Sequence, residues 1–423
     1  MSLPKVIEII PASSPVHAIV TVPGSKSITN RSMILAALST GTSVLKGALW
    51  SEDTQVMSDC LQALGFDVTV ETDPCEVCNR TITIVGQGGI IPNAGTEEAP
   101  LELHVGNAGT AARFLSAMVC LGNGVYRLSG IDRMHERPQK ALFESLRELG
   151  YRIESKNNFL PALFHGTGAS KTSCSVSIEK SSQFASALLL SAGIGQWEIR
   201  IAGDNANTSP YIEMTRSLIN AFPTEGGHFQ IEPDASSGSY IHAANWLIAG
   251  KDGGIEINHW PESRWQIDED FPKYLPLPDV VSREEHLGDS IMTAIVLAAF
   301  VDHPVHFTEL GRLRVQECER VEALRTELTK CGAKVEEEDD TLTIYPSPLN
   351  GADIETYNDH RMAMCFAVVG MKVPGIRIHN PECVKKTFPN FFSKLASQSP
   401  SGLGLVLKDA QGNLLATDQL IAE

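Results

Sequence analysis

The stretch SKSITNRSMILAAL, residues 25–38, contains the pattern that decides the fold. Small polar residues come first, and an apolar helical run follows them directly. A short alternating strand at 43–45, a second helix at 53–64, Gly65 and another strand at 66–70 complete the pattern. A helix that is apolar on nearly every face has to be buried, so we expect the strands to cover it.

The same pattern returns along the chain, which predicts a fold built from copies of one unit. The later copies begin at GNAGT (106–110), SSQ (181–183), DASS (234–237), GD (288–289) and NDHR (358–361). The third copy is short after Phe222. The fourth is eroded, and its proline-broken residues 271–276 are predicted to be loop because proline interrupts helices and central strands. Six copies in two groups of three predict two similar α/β domains.

Length and composition agree with a folded protein of two domains. A chain of 423 residues exceeds one ordinary core, and 43% hydrophobic with 20% charged residues is typical of globular proteins. Uninterrupted apolar stretches of membrane-spanning length are absent from the sequence, and residues 1–10 lack a secretory apolar region. We therefore expect a cytoplasmic protein.

Charge and cysteine content exclude several classes of function. A net charge of -17 disfavours nucleic acid and anionic membranes as partners. Nine scattered cysteines indicate reduced thiols rather than a disulfide framework. Cys75 and Cys78 form a lone CxxC pair, which fits a strand connection better than a metal site. We expect no metal and no organic cofactor.

Polar residues recur at the start of the first helix in each copy. Taken singly, each is explained as a helix cap. Taken together, several helix N-termini would offer positive potential and N–H groups to phosphates or carboxylates. Lys26 with Arg31, and His360 with Arg361, add cations that capping does not need. Further basic residues lie in loops of equivalent position, namely Arg133, Arg137, Arg312, Arg314, Arg320, Lys385 and Lys386. A lone arginine there is usually a solvated surface residue, but the recurrence in an acidic chain predicts an anion-binding cleft.

Nine segments in order resemble those of one family. They are PGSKSITNR (23–31), GNAGTAAR (106–113), RMHERP (133–138), SSQ (181–183), PYIE (210–213), DASS (234–237), RVQE (314–317), YNDHRMAM (357–364) and KTFP (386–389). The chain resembles the EPSP synthase (3-phosphoshikimate 1-carboxyvinyltransferase) family of enolpyruvyl transferases over most of its length.

This resemblance implies a fold and a domain division. The fold is an inside-out α/β barrel with two similar domains, each of three βαβαββ units, with eroded third and fourth units. Residues 25–234 would form one domain. Residues 1–24 with 235–423 would form the other, including a C-terminal extension at 402–423 with a strand pair around 411–413. We expect a monomer.

The resemblance also implies a reaction. The enolpyruvyl group of phosphoenolpyruvate is transferred to the 5-hydroxyl of shikimate 3-phosphate with release of phosphate, a step of aromatic amino-acid biosynthesis that leads to chorismate. Asp289 would act on the 5-hydroxyl of shikimate 3-phosphate and Glu317 on the methylene of phosphoenolpyruvate, with Lys26 close to both reacting groups. Without the surrounding motifs, Asp289 would be a helix cap and Glu317 an exposed helix acid.

The family's binding residues transfer onto matching positions. Those for phosphoenolpyruvate are Lys26, Asn107, Gly109, Thr110, Arg133, Gln183, Arg320, His360, Arg361 and Lys386. Those for shikimate 3-phosphate are Lys26, Ser27, Arg31, Ser181, Ser182, Gln183, Thr208, Tyr211, Asp289, Arg312 and Gln316. Gly109 is the small residue that leaves room for glyphosate, so we expect inhibition by glyphosate.

Some positions depart from the family and leave alternatives open. Gln316 stands where family members usually have Lys, and Arg312 where they have Asn. His135 and Phe114 replace the usual Lys and Pro. A sister transferase acting on another phosphorylated cyclitol, or an inactive anion-binding paralogue, is the alternative reading. A UDP-sugar enzyme would carry a reactive cysteine in residues 130–138, and the sequence has none there.

Overall fold

The computed structural model describes residues 3–203, 209–251 and 253–422. They divide into two compact units. Unit 1 contains the described residues up to Pro23 and from Pro233 onward, and unit 2 contains those of Gly24–Glu232.

The strands are short, as expected for sheets that cover buried helices. They are β1 Val6–Ile10, β2 His17–Val20, β3 Thr42–Leu49, β4 Val68–Thr72, β5 Asn79–Val85, β6 Leu101–His104, β7 Asn123–Ser129, β8 Arg152–Glu154, β9 Ala162–Thr167, β10 Thr172–Ser177, β11 Trp197–Ala202, β12 Gly227–Gln230, β13 Gly254–Ile257, β14 Val280–Ser282, β15 Val305–Thr308, β16 Val335–Glu338, β17 Thr341–Ile344, β18 Asp353–Ile354, β19 Ile376–His379 and β20 Val406–Lys408.

The helices alternate with these strands. They are α1 Lys26–Leu38, α2 Glu52–Ala63, α3 Gly109–Met118, α4 Asp132–Glu136, α5 Lys140–Glu148, α6 Gln183–Gly195, α7 Pro210–Ala221, α8 Ala235–Ile248, α9 Ile291–Leu297, α10 Arg320–Lys330, α11 His360–Gly370 and α12 Phe391–Ala396. Short 3-10 helices cover Val119–Leu121, Ile267–Tyr274, Ala298–Phe300, Leu310–Val315, Pro381–Lys386 and Thr417–Gln419.

Each unit repeats one sheet design. In unit 2 the sheet orders are β12-β3-β5-β4, β6-β7-β9-β8 and β10-β11. In unit 1 they are β14-β15-β17-β16, β18-β19-β1-β20 and β13-β2. Every four-stranded sheet has one parallel pair at its first edge and antiparallel pairs after it. The order β6-α3-β7-α5-β8-β9 is the predicted βαβαββ unit in full.

The predicted fold class is confirmed, including the erosion of the third and fourth copies. These two copies have the two-stranded sheets, β10-β11 and β13-β2. The prediction of loop at residues 271–276 is wrong, because the 3-10 helix Ile267–Tyr274 includes Pro272. A capping box of Gln266 and Glu269 starts this helix, and the buried Phe271 anchors it.

Two further boundaries differ from the predictions. The repeat pattern predicts the second helix of the fifth copy from about Gln316 to Cys331, but this helix covers Arg320–Lys330, and residues 310–315 before it form a 3-10 helix. The predicted C-terminal strand pair forms only in part, because β20 pairs with β1 and its return arm makes a single bridge between Lys408 and Leu414.

The first helices of the copies are deeply buried. Every residue of α3 and every residue of α11 is buried. A helix that is buried on all faces can contact a ligand only at its ends. We therefore expect the ligand-binding residues of each copy to lie where its first helix begins.

Candidate active site

In unit 1, three arginines surround the Asp289 carboxylate. Arg361 Nη2 lies 3.0 Å from Oδ2, Arg283 Nη2 lies 3.3 Å from Oδ1, and Arg320 Nη1 lies 3.8 Å from Oδ1. Burial alone would raise the pKa of this carboxyl. The three guanidinium groups more than offset burial and hold the pKa well below its usual range, so Asp289 is ionised at neutral pH.

Arg320 is the centre of this network. Its side chain is 1% exposed, and its Nε donates to Asp359 Oδ2 at 2.7 Å. Its Nη2 donates to Glu317 Oε2 at 2.9 Å, and its Nη1 donates to Gln316 Oε1. Burial would lower the pKa of Arg320, but the carboxylates around it raise the pKa further above its ordinary value. The guanidinium is thus a permanent cation held among fixed acceptors.

Glu317 is held by two cations. Besides the bond from Arg320, its Oε1 lies 3.7 Å from Lys386 Nζ. The Lys386 side chain is only 9% exposed, which excludes water from most of this pair. His360 is buried next to Asp359, with Nδ1 at 3.6 Å from Oδ1. The arrangement places two predicted catalytic carboxylates on opposite sides of one buried guanidinium.

Carboxylates occupy the helix starts of unit 1. Asp234 accepts the N–H of Ser237 at 2.7 Å and caps α8, and Asp359 accepts the N–H of Arg361 at 2.9 Å and caps α11. Before α9, Asp268 accepts the N–H of Gly288 at 2.7 Å and the hydroxyl of Ser290 at 2.6 Å. Asp268 therefore fixes the backbone on both sides of Asp289.

Residues with a left-handed backbone conformation precede the loops that contain the cations of unit 1. Glu309 (φ 61) precedes the turn with Arg312, Asn358 (φ 55) precedes Asp359, and Asn380 (φ 50) precedes the turn with Lys386. Non-glycine residues adopt positive φ only at a cost, and Asn tolerates it best. The Asn380 side chain donates to Asn358 Oδ1 at 3.2 Å, which ties two of these turns together.

In unit 2, Arg31 is buried among neutral groups. Its Nε donates to the Thr215 hydroxyl at 2.8 Å, and its Nη2 donates to the Ser186 hydroxyl at 3.1 Å and to the Tyr211 carbonyl at 3.4 Å. Its Nη1 donates to the Ser27 carbonyl at 2.9 Å. Burial lowers the pKa of Arg31 to about 10, because hydroxyls and carbonyls offset the lost hydration only in part.

Gly109 lies against two guanidinium groups of unit 2. A Cβ at this position would lie 2.5 Å from Arg113 Nη1 and 2.8 Å from Arg137 Nη2. Arg137 donates to the Asn107 carbonyl at 3.0 Å, and Arg113 Nη1 lies 3.4 Å from Gln183 Oε1. Asn107, Arg113, Arg137 and Gln183 therefore meet beside Gly109 at the start of α3.

The helix starts of unit 2 have little side-chain capping. Ser25, Ala108 and Ser182 precede α1, α3 and α6, and none of them makes a capping bond through its side chain. The hydroxyl of Ser181 accepts the N–H of Gln183 at 3.2 Å. Within the described residues, the buried hydroxyl of Thr110 has no hydrogen-bond partner. These helix starts have the character of an anion-binding surface.

The structure leaves some predicted residues apart from these clusters. Lys26 pairs with Asp53 at 3.2 Å, Arg133 pairs with Glu136 at 2.9 Å near the surface, and Arg312 lies 3.6 Å from Glu284. Ser182 is buried and precedes α6. Thr208 lies outside the described residues.

Sequence reasoning assigned no role to several residues that the structure brings into these clusters. They are Arg113, Asp268, Arg283 and Asp359, and Arg137 is predicted only as one cation of the anion-binding cleft. Arg113, Arg137 and Asp359 lie inside the family-like segments, so their position in those motifs was an available signal. Asp268 and Arg283 lie in other stretches, and only the fold brings them to Asp289.

One group of possible metal ligands occurs elsewhere in the described part of the chain, formed by Glu97, Glu154 and His165. His165 Nδ1 lies 3.3 Å from Glu97, and its Nε2 lies 2.8 Å from Glu154. Arg152 contacts both carboxylates. Because Arg152 already pairs with both carboxylates, the group is an ion-pair cluster. In the described residues, no helix combines the length and apolar character needed to cross a membrane.

Comparison with known sequences gives a consistent result. The model of the family "EPSP synthase (3-phosphoshikimate 1-carboxyvinyltransferase)" matches residues 10–273 and 281–395. A 3-phosphoshikimate 1-carboxyvinyltransferase from Trichormus variabilis is 37% identical over 91% of this chain and 97% of its own length. Proteins of the same name from Rhizobium etli and Pseudomonas syringae pv. syringae are 36% and 35% identical, over 95% and 92% of this chain and 98% and 97% of their own lengths.

Solved structures share the fold. EPSP synthase from Acinetobacter baumannii matches with a TM-score of 0.72 and 20% identity, over 96% of this chain and 100% of that one. The enolpyruvyl transferase NikO from Streptomyces tendae matches with a TM-score of 0.69 and 14% identity, over 98% of this chain and 100% of that one. At these identities the match concerns the fold.

Proposed function

The chain belongs to the EPSP synthase family, and on that premise we propose which of its residues carry out the reaction. The protein is a 3-phosphoshikimate 1-carboxyvinyltransferase of the shikimate pathway: it transfers the enolpyruvyl group of phosphoenolpyruvate to the 5-hydroxyl of shikimate 3-phosphate and releases phosphate. Identity of 35–37% over more than nine-tenths of the chain carries this conclusion.

Asp289 and Glu317 are the proposed catalytic carboxylates. Asp289 accepts the proton of the 5-hydroxyl as the hydroxyl oxygen bonds to C2 of phosphoenolpyruvate, and Glu317, in its protonated form, delivers a proton to C3. In the second step the C2–O bond to phosphate breaks, C3 returns its proton to Glu317, and the proton on Asp289 passes to the departing phosphate. The guanidinium groups around Asp289 keep it ionised, which is the form that accepts a proton.

The cations bind the anionic substrates and stabilise charge on the leaving phosphate. For phosphoenolpyruvate these residues are Lys26, Asn107, Gly109, Thr110, Arg133, Gln183, Arg320, His360, Arg361 and Lys386. For shikimate 3-phosphate they are Lys26, Ser27, Arg31, Ser181, Ser182, Gln183, Thr208, Tyr211, Asp289, Arg312 and Gln316. We add Arg113 and Arg137, because their guanidinium groups lie directly beside Gly109.

The test is phosphate release from the purified protein with both substrates, and with each omitted in turn. We expect release that needs both substrates and that falls by ~10²- to 10⁴-fold in Asp289→Ala and in Glu317→Gln. Release from phosphoenolpyruvate alone would contradict a transfer. A folded protein that binds phosphoenolpyruvate but does not release phosphate would point to Gln316 and Arg312 as signs of another acceptor, or to an inactive anion-binding paralogue.

The same assay tests inhibition. We propose that glyphosate inhibits the transfer, since Gly109 keeps the space between Arg113 and Arg137 free of a side chain. Turnover unchanged at millimolar glyphosate would contradict this. We further propose that the protein acts in the cytoplasm as a monomer, without metal or cofactor. Sedimentation of the purified protein checks the monomer, and turnover after chelation checks the metal.

A further inference from the structure

Arg283 is a buried cation that has no role in the transfer described so far. Its side chain is 7% exposed, and its backbone belongs to a tight turn after β14. The Ser282 hydroxyl accepts the N–H groups of Glu284 at 3.2 Å and Glu285 at 3.0 Å. The Arg283 N–H donates to the Thr308 carbonyl at 3.2 Å. The backbone under the guanidinium is therefore fixed by bonds on two sides.

The guanidinium group contacts the proposed base directly. Its Nη2 lies 3.3 Å from Asp289 Oδ1. Its Nε is buried and has no acceptor within the described residues. A buried N–H without an acceptor is rare and costly, so this nitrogen is suited to an oxygen of a bound ligand.

A second cation, Arg312, acts on the same region. Burial lowers the pKa of Arg312, the Glu284 carboxylate raises it in part, and the positive charge of Arg283 lowers it. Arg312 lies 3.6 Å from the Glu284 carboxylate, whereas Arg283 shares Asp289 with two other arginines. The ends of β14 and β15 thus carry two arginines, Arg283 and Arg312, whose charges are partly neutralised by Asp289 and Glu284.

We propose that Arg283 is a binding residue for the acceptor substrate, with Nη2 holding Asp289 and Nε donating to an oxygen of the acceptor. This inference rests on the proposed role of Asp289, because the substrate atom beside that carboxylate belongs to the acceptor. Glu317 and Lys386, assigned to phosphoenolpyruvate chemistry, pair with each other, and Arg320 joins Glu317 to Asp289. Arg283 contacts the Asp289 end of this network, so its loss should weaken binding of the acceptor more than binding of phosphoenolpyruvate.

The test compares Arg283→Gln and Arg283→Lys with the wild type. Arg325→Gln is the matched control, since Arg325 is a half-exposed arginine of the same unit that pairs with Glu337 at 2.9 Å. We expect Arg283→Gln to raise KM for shikimate 3-phosphate ~10- to 100-fold, the loss typical of a charge-assisted hydrogen bond. KM for phosphoenolpyruvate should change less than ~3-fold. Arg325→Gln should match the wild type.

The pH profile gives a second readout. The charged groups that act on Asp289 are Arg283, Arg320, Arg361, Glu317 and Asp268. Because the arginines lower the pKa of Asp289, removing Arg283 raises that pKa, and the acid limb of kcat/KM moves to higher pH. Arg283→Lys keeps the charge, so it should return the limb toward its wild-type position while the acceptor KM stays high.

The possible outcomes distinguish the role of Arg283 from the proposed activity of the protein. Equal increases in both KM values, or a folded Arg283→Gln variant with wild-type acceptor KM and an unmoved acid limb, would overturn the role of Arg283 alone. A wild-type protein that neither turns over shikimate 3-phosphate nor gains thermal stability from it would overturn the activity and this inference together.

Discussion

Arg31 in unit 2 and Arg320 in unit 1 are equally buried, each 1% exposed, yet their surroundings are opposite. Arg320 has carboxylates on three sides, and its pKa is raised. Arg31 donates to hydroxyls and carbonyls, and its pKa falls to about 10. The same side chain is a neutralised cation in one unit and an uncompensated charge in the other.

The difference extends to the helix starts. Carboxylates cap α8 and α11 in unit 1, and Asp268 binds the backbone before α9, whereas the residues before α1, α3 and α6 in unit 2 make no side-chain cap. A bound phosphate or carboxylate would supply the negative charge that unit 2 lacks. We infer that unit 1 is organised before ligand binds, and that unit 2 gains most of its electrostatic stabilisation from the ligand.

Breaking the network of unit 1 should have the largest effect. Arg320→Met leaves Asp359 and Glu317 buried without their main counter-charge, so we expect a loss of ~3–5 kcal/mol in the free energy of unfolding. Chemical denaturation measures it. Arg325→Met, at a half-exposed ion pair, should lose no more than ~1 kcal/mol. Equal losses in the two variants would show that the network contributes no more than a surface pair.

The corresponding change in unit 2 should cost less. Arg31→Met leaves only neutral acceptors unsatisfied and removes a poorly compensated charge, so we expect a loss of ~1–3 kcal/mol. Shikimate 3-phosphate should raise the Tm of the wild type and raise that of Arg31→Met much less. Thermal scans with and without the ligand check both points. A ligand-induced shift that survives in Arg31→Met would contradict the proposed contrast between the units.

The fold was predictable because its signal is local and repeated. Small polar residues before an apolar helix occur in every copy, and the erosion of the third and fourth copies was visible from the prolines and missing strands. Where the prediction failed, tertiary contacts decided the outcome. The 3-10 helix with Pro272 depends on Gln266 and Glu269 at its start, and α10 begins only at Arg320, after a turn that opens on left-handed Glu309.

The site was predictable as a set of residues, but their partners were not. Motifs pointed to Asp289, Glu317 and Arg320, and these three lie together in unit 1. Asp268 lies in the 3-10 helix Ile267–Tyr274 and Arg283 lies in the turn after β14, and periodicity and spacing carry no signal for the contacts that they make around Asp289. Likewise, the sequence does not reveal that Arg31 has neutral partners while Arg320 has charged ones.

Adding a methyl group at Gly109 tests how closely the start of α3 in unit 2 fits the phosphoenolpyruvate that it is proposed to bind. Its carbon would lie 2.5 Å from Arg113 Nη1 and 2.8 Å from Arg137 Nη2, so both flexible ends must move. We expect Gly109→Ala to raise KM for phosphoenolpyruvate ~10-fold, about 1.4 kcal/mol, with the acceptor KM little changed. Gly193→Ala is the control, because nothing lies within 4 Å of a Cβ on that residue of α6. A similar change in both variants would contradict the fit.

The smallest expected effect concerns the segment beyond residue 395, where the family match ends. The Ala422 N–H donates to the Pro389 carbonyl at 2.9 Å, three residues after Lys386, and the neighbouring Leu420 is fully buried. Ala422→Pro removes this donor, whereas Ala422→Gly keeps it. If the segment holds the Lys386 turn in place, Ala422→Pro should raise KM for phosphoenolpyruvate ~5-fold, equivalent to one hydrogen bond of ~1 kcal/mol. Ala422→Gly should stay near the wild type. Equal KM values in the two variants would mean that the ion pairs of unit 1 position Lys386 without help from this segment.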